Sequence, residues 1–317
     1  MKAAYITEQG GIDKFIYGDL PEPKIDSHDV LIRVRACSLN RVDLFTRAGE
    51  KGVKITQFPF ILGRDFAGEI TEVGDHATKR FKVGDRVVAL TGSGGYAEYA
   101  KAPADSVHLL PGHLSYDEAA TIPTCFLTAW HMLMSRAQIK PGEDVLIMAA
   151  GSGVGSAAIQ VAKLMSDRVI VTAGTDEKIK KAKELGADEG INYNTEDFSK
   201  RVKELTNGEG VDVIIDHIGA SVWEQNFASL KRGGRFVTCG VTGGHRVELH
   251  LGQLFTKQLS LMGSSMGTPD EMKEVMKLFH QKKLKGVVDT AFPLKDAAKA
   301  HKKLEDRDVF GKIVVNP

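Results

Sequence analysis

Three alternating glycines, Gly151, Gly153 and Gly155, with Ser152 and Val154 between them, stand where backbone amides can hold a phosphate. The run before them, 145–150, is short and apolar, like a strand buried on both faces. After them Val154, Ala157, Ala158, Val161 and Leu164 or Met165 recur at helical spacing. Strand, glycine turn and helix in that order leave the first N–H groups of the helix pointing outward at the positive end of its dipole. A β-carbon in the turn would hold the backbone off a pyrophosphate or block the turn. The spacing is not a full G-x-G-x-x-G, so the flanking strand and helix carry this reading more than the glycines do.

The residues beyond the turn bear on which nucleotide is held. A fold that takes NAD usually ends its second strand on an acid, which accepts hydrogen bonds from the ribose 2′-hydroxyl. Here the strand expected over 169–173 runs into Ala173 and Gly174, with no acid until Asp176. An acid would repel a 2′-phosphate, whereas Lys178 offers a cation and Tyr193, at the end of the third strand, reaches the same corner. Lys178 also reads as one of a solvated set with Lys180, Lys181 and Lys183. NADPH is the expected cofactor.

The elements that position these residues form two groups. From 145 to about 262 strands alternate with helices: strands over 145–150, 169–173, 190–193, 211–217, 235–239 and 259–262, and helices over 177–185, 197–206 and 223–230. That alternation implies a parallel, doubly wound sheet, which binds ligands at the carboxyl ends of its strands. Residues 1 to about 120 read instead as short strands, over 3–7, 30–36, 66–73, 86–90 and 96–100, separated by Gly and Pro turns, as in a barrel or sandwich. Ser115, three residues before Glu118, marks a capping box where a helical pattern begins. The last segment carries helices over 270–281 and 295–305 and a strand over 312–315, which is expected to complete the first domain. The fold class is therefore α/β, with a β-rich catalytic domain formed by 1–121 and 263–317, a Rossmann domain formed by 122–262, and the cofactor expected in the cleft between them.

At 317 residues the chain is long enough for about two domains of roughly 100–200 residues. Its 42 Lys and Arg against 41 Asp and Glu give no field favouring nucleic acid or an anionic membrane. The start of the chain lacks a signal-peptide core and no run approaches the ~20 apolar residues of a membrane span. A cytoplasmic protein acting on a small molecule is expected. Cys37, Cys125 and Cys239 are scattered, with no C-x-x-C pair, and read as small apolar packing groups in a reducing compartment.

The stretches SLNRVDLFTRAGE, FILGRDFAGEITEVG, FKVGDRVVAL, GGYAEYA, FLTAW, AAGSGVGSAAIQVAK, TAGTDEK, LGADEGINY and FGKIV, in this order, resemble the medium-chain dehydrogenase/reductase superfamily. More narrowly, they resemble its zinc-free NADPH quinone oxidoreductase, or zeta-crystallin-like, branch. The resemblance implies a GroES-like β-rich domain around a nucleotide domain. It implies that Lys178, Tyr193 and Arg307 hold the 2′-phosphate and that Asn40 and Thr128 lie by the nicotinamide. It also implies that the strand near Leu259 joins subunits in a homodimer, with a higher homo-oligomer left open. The candidate cofactor set is completed by Asp43, Gly151, Ser152, Gly153, Val154, Gly155, Thr175, His217, Gly240, Gly311 and Lys312.

Zinc alcohol dehydrogenases of this superfamily use Cys-x-x-Asp and Gly-His-Glu motifs. Here the first reads Asn40-Arg41-Val42-Asp43 and the second Gly63-Arg64-Asp65. Arginine and asparagine do not replace thiolate and imidazole donors, so no metal is expected. Without a Lewis acid an unactivated alcohol is hard to oxidise. A quinone or α,β-unsaturated carbonyl accepts hydride given orientation, dry walls and a few donors. Asn40 and Thr128 are expected to position the acceptor and Arg64 to face developing oxyanion charge, unless Arg64 is tied up in an ion pair with Asp65 or Asp43. Relatives often carry a tyrosine where this chain has Phe45. Tyr96 is then the candidate proton donor, although barrel packing is its stronger reading and water can protonate the product unaided. Two other functions stay open: an enoyl-CoA reductase of the acryloyl or crotonyl type, favoured by Arg47, Lys51 and Lys54, and a non-enzymatic NADPH-binding protein.

Overall fold

A computed structural model describes residues 1–166 and 168–317. Two compact units emerge, one formed by Met1–Thr124 with Met272–Pro317 and the other by Cys125–Glu271. The first boundary falls three residues, and the second nine residues, later than the sequence suggests. Thr124 stays with the first unit because its hydroxyl donates to Asp65 Oδ1 at 2.7 Å. Glu271 stays with the second because its carboxylate sits 2.8 Å from His131 Nδ1.

In chain order the first unit begins with strands β1 (Lys2–Ile6), β2 (Ile16–Asp19) and β3 (Asp29–Ser38), then helix α1 (Arg41–Ala48). Strands β4 (Phe60–Ile61), β5 (Asp65–Val73), β6 (Arg86–Leu90), β7 (Tyr99–Pro103) and β8 (Val107–Leu109) follow, with helix α2 (Tyr116–Ala120). The Ser115–Glu118 capping box forms as expected, Glu118 N–H donating to Ser115 Oγ at 3.2 Å and Ser115 N–H to Glu118 Oε2 at 3.0 Å. The helical pattern expected to run on from there breaks before Pro123, which opens α3 (Pro123–Trp130) as a first-turn proline, and a π-helical turn closes it at His131–Arg136.

The second unit then alternates: β9 (Asp144–Ile147), α4 (Gly153–Ala162), β10 (Arg168–Ala173), α5 (Asp176–Glu184), β11 (Glu189–Asn192), α6 (Phe198–Leu205), β12 (Val211–Asp216), α7 (Trp223–Ser229), β13 (Leu230–Thr238), α8 (Leu251–Thr256) and β14 (Ser260–Gly263). Its six strands are all parallel, in the order β11-β10-β9-β12-β13-β14. This is the doubly wound order, with its switch point beside β9. Val145, Leu146 and Ile147 are fully buried, which is why that strand reads as an unbroken apolar run.

Helix α9 (Pro269–His280), strand β15 (Val288–Pro293), helix α10 (Ala297–Glu305) and strand β16 (Lys312–Asn316) end the chain. The first unit's main sheet has seven strands, β15-β16-β3-β5-β6-β8 with β7 on β3. The pairing of β16 with β3, Val314 opposite Ser38 and Val315 opposite Cys37, ties the two ends of the chain together. That pairing brings Lys312 to the segment that follows β3.

Candidate active site

In the second unit the turn between β9 and α4 is the one expected to hold a phosphate. Ser152 caps α4, its Oγ accepting from Gly155 N–H at 2.9 Å and lying 2.8 Å from His217 Nε2, which projects from the loop after β12. Gly155 is required by packing: a β-carbon there would sit 2.4 Å from the Ala149 carbonyl oxygen. The first-turn amides of a helix are the groups able to meet an anion.

The corner expected to hold a 2′-phosphate is assembled within the same unit. β10 ends at Ala173, and a β-carbon on Gly174 would meet the Tyr193 hydroxyl at 2.9 Å. Tyr193 is 42% exposed. Thr175 caps α5 by accepting from Lys178 N–H at 3.3 Å, which sets Lys178 in the first turn beside that corner. Asp176, the nearest acid, is engaged by Asn192 Nδ2 at 2.8 Å. Gly240 lies against the His217 backbone, where a β-carbon would come within 2.9 Å of its carbonyl oxygen. Thr128, on α3, is buried with its hydroxyl directed at Met266 Sδ, 3.9 Å away.

One organising residue escaped the sequence reading. Asp216, fully buried at the end of β12, accepts from Ile218 N–H at 3.1 Å and Gly219 N–H at 2.9 Å and so shapes the loop carrying His217. Burial pushes its carboxyl up to about 6 against those hydrogen bonds. The available signal was D-x-x-G at a strand end, an acid followed by a glycine that takes φ +91°.

In the first unit a buried polar cluster gathers residues far apart in sequence. Asn40 precedes α1 and is fixed three ways: its N–H donates to Asp43 Oδ2 at 2.7 Å, its Nδ2 to Asp65 Oδ2 at 2.9 Å, and its Oδ1 accepts from Lys312 Nζ at 2.5 Å. Asp65 also accepts from the Thr124 hydroxyl and lies 4.0 Å from Lys312 Nζ. Asp43, Asp65 and Lys312 are 2%, 0% and 5% exposed, so these charges act on one another in a dry medium. Burial raises the Asp43 carboxyl to about 6, opposed by the Asn40 N–H and Lys312. The Cys37 thiol beside them is driven well above its ordinary range by burial, with Asp43 and Asp65 adding to the rise. Asp65 and Thr124 are the members the sequence did not single out as site residues.

Arg64 is half-buried and donates from Nε to the Thr91 carbonyl at 3.3 Å. Among the described residues no carboxylate pairs with it, so the expected alternative of an ion pair with Asp65 or Asp43 is not what the structure contains. Arg307 lies exposed after α10, in a left-handed turn (φ 59°) and close enough to Arg41 to hold that guanidinium below its usual range, an effect second to burial. Gly311, at φ +91°, would drive a β-carbon to 2.5 Å from the Val287 carbonyl. Lys51 and Lys54 are exposed, and Lys51 Nζ lies 5.8 Å over the Phe45 ring.

Tyr96 does not join the cluster as a proton donor. It is fully buried, with its hydroxyl 3.1 Å from Nε2 of the equally buried His301. Burial pushes its phenol well above the ordinary range, with Asp43, Cys37 and Asp65 adding to the rise. It packs under Gly63, whose φ of +88° and missing side chain are both required, since a β-carbon would fall 2.4 Å from the Tyr96 ring. Barrel packing, the competing reading, explains this residue.

Residues 153–281 match the family model described as zinc-binding dehydrogenase, and residues 26–112 the one described as alcohol dehydrogenase GroES-like domain. The chain is 34% identical to the quinone oxidoreductase of Lama guanicoe over 324 residues, covering 99% of this chain and 97% of that protein. The crystal structure of an NAD-dependent alcohol dehydrogenase superposes with a TM-score of 0.94 at 37% identity over 100% of both chains. Escherichia coli quinone oxidoreductase complexed with NADPH superposes with a TM-score of 0.89 at 30% identity, again over 100% of both. The fold and the two sites define a two-domain oxidoreductase architecture. The chain belongs to the quinone oxidoreductase branch of the medium-chain dehydrogenase/reductase superfamily.

Proposed function

We propose that this enzyme reduces a quinone or an α,β-unsaturated carbonyl, with NADPH as the hydride donor and no zinc. The observation that carries the reading is the lysine ammonium of Lys312 seated 2.5 Å from Asn40, at the position where zinc-dependent members place a cysteine ligand. Asn40 and Arg64 stand where zinc-dependent members carry thiolate and imidazole, and neither side chain is a zinc donor. Among the described residues, no three His, Cys, Asp or Glu side chains are grouped to hold a metal. A site without a Lewis acid favours an activated acceptor over an unactivated alcohol.

The residues that would hold NADPH are the turn Gly151 to Gly155, His217 and Gly240, with Thr175, Lys178, Tyr193 and Arg307 for the 2′-phosphate, and Asn40, Asp43, Thr128, Gly311 and Lys312 for the nicotinamide half. The Escherichia coli relative is described with NADPH, and the relative named for NAD does not decide the matter here. The lack of an acid before Asp176, and the engagement of Asp176 by Asn192, support the phosphorylated cofactor. The Asn40 amide is oriented by Asp65 and Lys312, and the second N–H of Nδ2 is its remaining donor. Arg64, which forms no close ion pair among the described residues although its charge acts on Asp43, supplies a cation suited to an oxygen on which negative charge develops. With Tyr96 in the core and Phe45 in place of a tyrosine, protonation of the product oxygen falls to solvent water.

A homodimer joined through β14 fits the same family. That strand ends the parallel sheet, and Leu251 and Phe255 on the preceding helix are 65% and 72% exposed. The functional test is NADPH oxidation, beside an NADH control, with benzoquinone, a naphthoquinone, an alkyl enone, acryloyl-CoA and crotonyl-CoA. Saturable turnover on the quinones or the enone is expected. Turnover confined to the thioesters would redirect the reading to an enoyl-CoA reductase, with Lys51 and Lys54 as phosphate contacts.

A further inference from the structure

A cavity of about 480 Å³ lies wholly within the first unit, where α9 passes β8. Its size is that of small-molecule sites, which run from about 300 to 1,000 Å³. The construction is two-sided. Helix α9 buries Met272, Val275, Met276 and Phe279 in the core, while Lys273, Lys277 and His280, at i, i+4 and i+7, turn an adjacent face to the cavity. From the opposite wall β8 contributes His108 and Leu109, the latter 47% exposed, and Arg80 stands over the Phe81 ring with its guanidinium 5.2 Å from the centroid.

The charge is one-sided. Three cations and two imidazoles line the cavity, and among the described residues no carboxylate does. Arg80 and Lys277 each have an acid outside it, Asp105, 92% exposed along its side chain, and Glu274, 3.6 Å from Lys277 and 56% exposed, and Lys273 also has a partner. His108 records the resulting field. Burial, then Arg80 and Lys273, hold its imidazole down to about 4. Between the cations lies apolar surface from Phe81, Leu109 and buried Met276.

We propose that this cavity binds an amphipathic anion, a carboxylate carried on a single alkyl chain. The head lies between Lys273, Lys277 and Arg80, and the chain runs along Leu109, Phe81 and Met276. The site is independent of the cofactor and acceptor residues and does not rest on the proposed reaction.

The test is calorimetric titration of the full-length protein with decanoate, beside decanol and decyltrimethylammonium, paired with histidine NMR. Saturable one-to-one binding of decanoate is expected, with the two controls failing and the His108 resonance titrating at higher pH in the complex, because the anion offsets Arg80 and Lys273. Lys273→Gln/Lys277→Gln should weaken decanoate about tenfold or more, as expected for losing charge-assisted contacts, while NADPH turnover stays unchanged. Equal binding of decanol, an unaltered affinity in the double variant, or decanoate binding that leaves His108 unmoved would overturn the proposal. Binding to anionic phosphatidylglycerol vesicles with no response to soluble decanoate would also overturn it, in favour of a membrane surface.

Discussion

The glycine turn of the second unit and the polar cluster of the first are built in opposite ways. The turn is made by contiguous residues and acts largely through the backbone: Ser152 caps, Gly155 permits close packing and the α4 amides do the binding. The cluster draws one or two residues each from 40–43, 64–65, 124 and 312 and acts through buried side-chain charge. A backbone site tolerates change except where a side chain must be absent. A buried charge network depends on every member, because removing one leaves another unpaired in a dry medium.

That contrast is most exposed to failure at Lys312. Lys312→Met removes the cation facing Asn40 and Asp65, and should cost about 3–5 kcal/mol in denaturant unfolding, the range for breaking a buried pair. A loss under about 1 kcal/mol, the size typical of an exposed pair, would mean the cluster is effectively solvated. In the turn, Gly155→Val forces a side chain against the Ala149 carbonyl, and a loss of about 1–3 kcal/mol together with weaker NADPH binding is expected. Gly84→Ala, at an open position with φ +90°, controls for backbone strain alone.

Lys178→Ala sharpens the comparison from the cofactor side. Losing a charge-assisted contact should weaken NADPH by about 10–100-fold and leave NADH nearly unchanged. Equal losses for the two would remove Lys178 from the phosphate corner.

Asp43 gives a smaller, pH-dependent effect. Its carboxyl titrates near 6 in the folded chain against 3.8 as the reference, so the folded state holds its proton more tightly. This group's contribution to stability is therefore fullest below about pH 3.8 and is lost as the pH rises through about 6. Asp43→Asn keeps an oxygen for the Asn40 N–H and escapes that loss. The variant's melting temperature should gain on the parent by on the order of 2–4 °C between pH 4 and pH 7.5. A constant difference across that range would contradict the raised carboxyl.

The same contrast explains what was legible in sequence. β9, the turn and α4 were readable because an apolar run, glycines and a helical repeat sit side by side. β16 joining the first domain was readable as a leftover strand. Helix α1 went unread: its eight residues carry only a short apolar stripe, and its start depends on Asp43 taking the Asn40 N–H. Asp65 and Thr124 were invisible as partners because only the fold brings them within 2.7 Å. Tyr96 was weighed as a donor from its type, and its burial beside His301 follows from a packing that no local pattern encodes.

The most direct test is steady-state NADPH oxidation with a quinone acceptor, run on one preparation before and after exhaustive chelation, with zinc content measured in parallel. The Lys312-centred account predicts saturable turnover that is unchanged by chelation, independent of zinc content and much slower with NADH. Loss of activity on chelation, restored by added zinc, would contradict it.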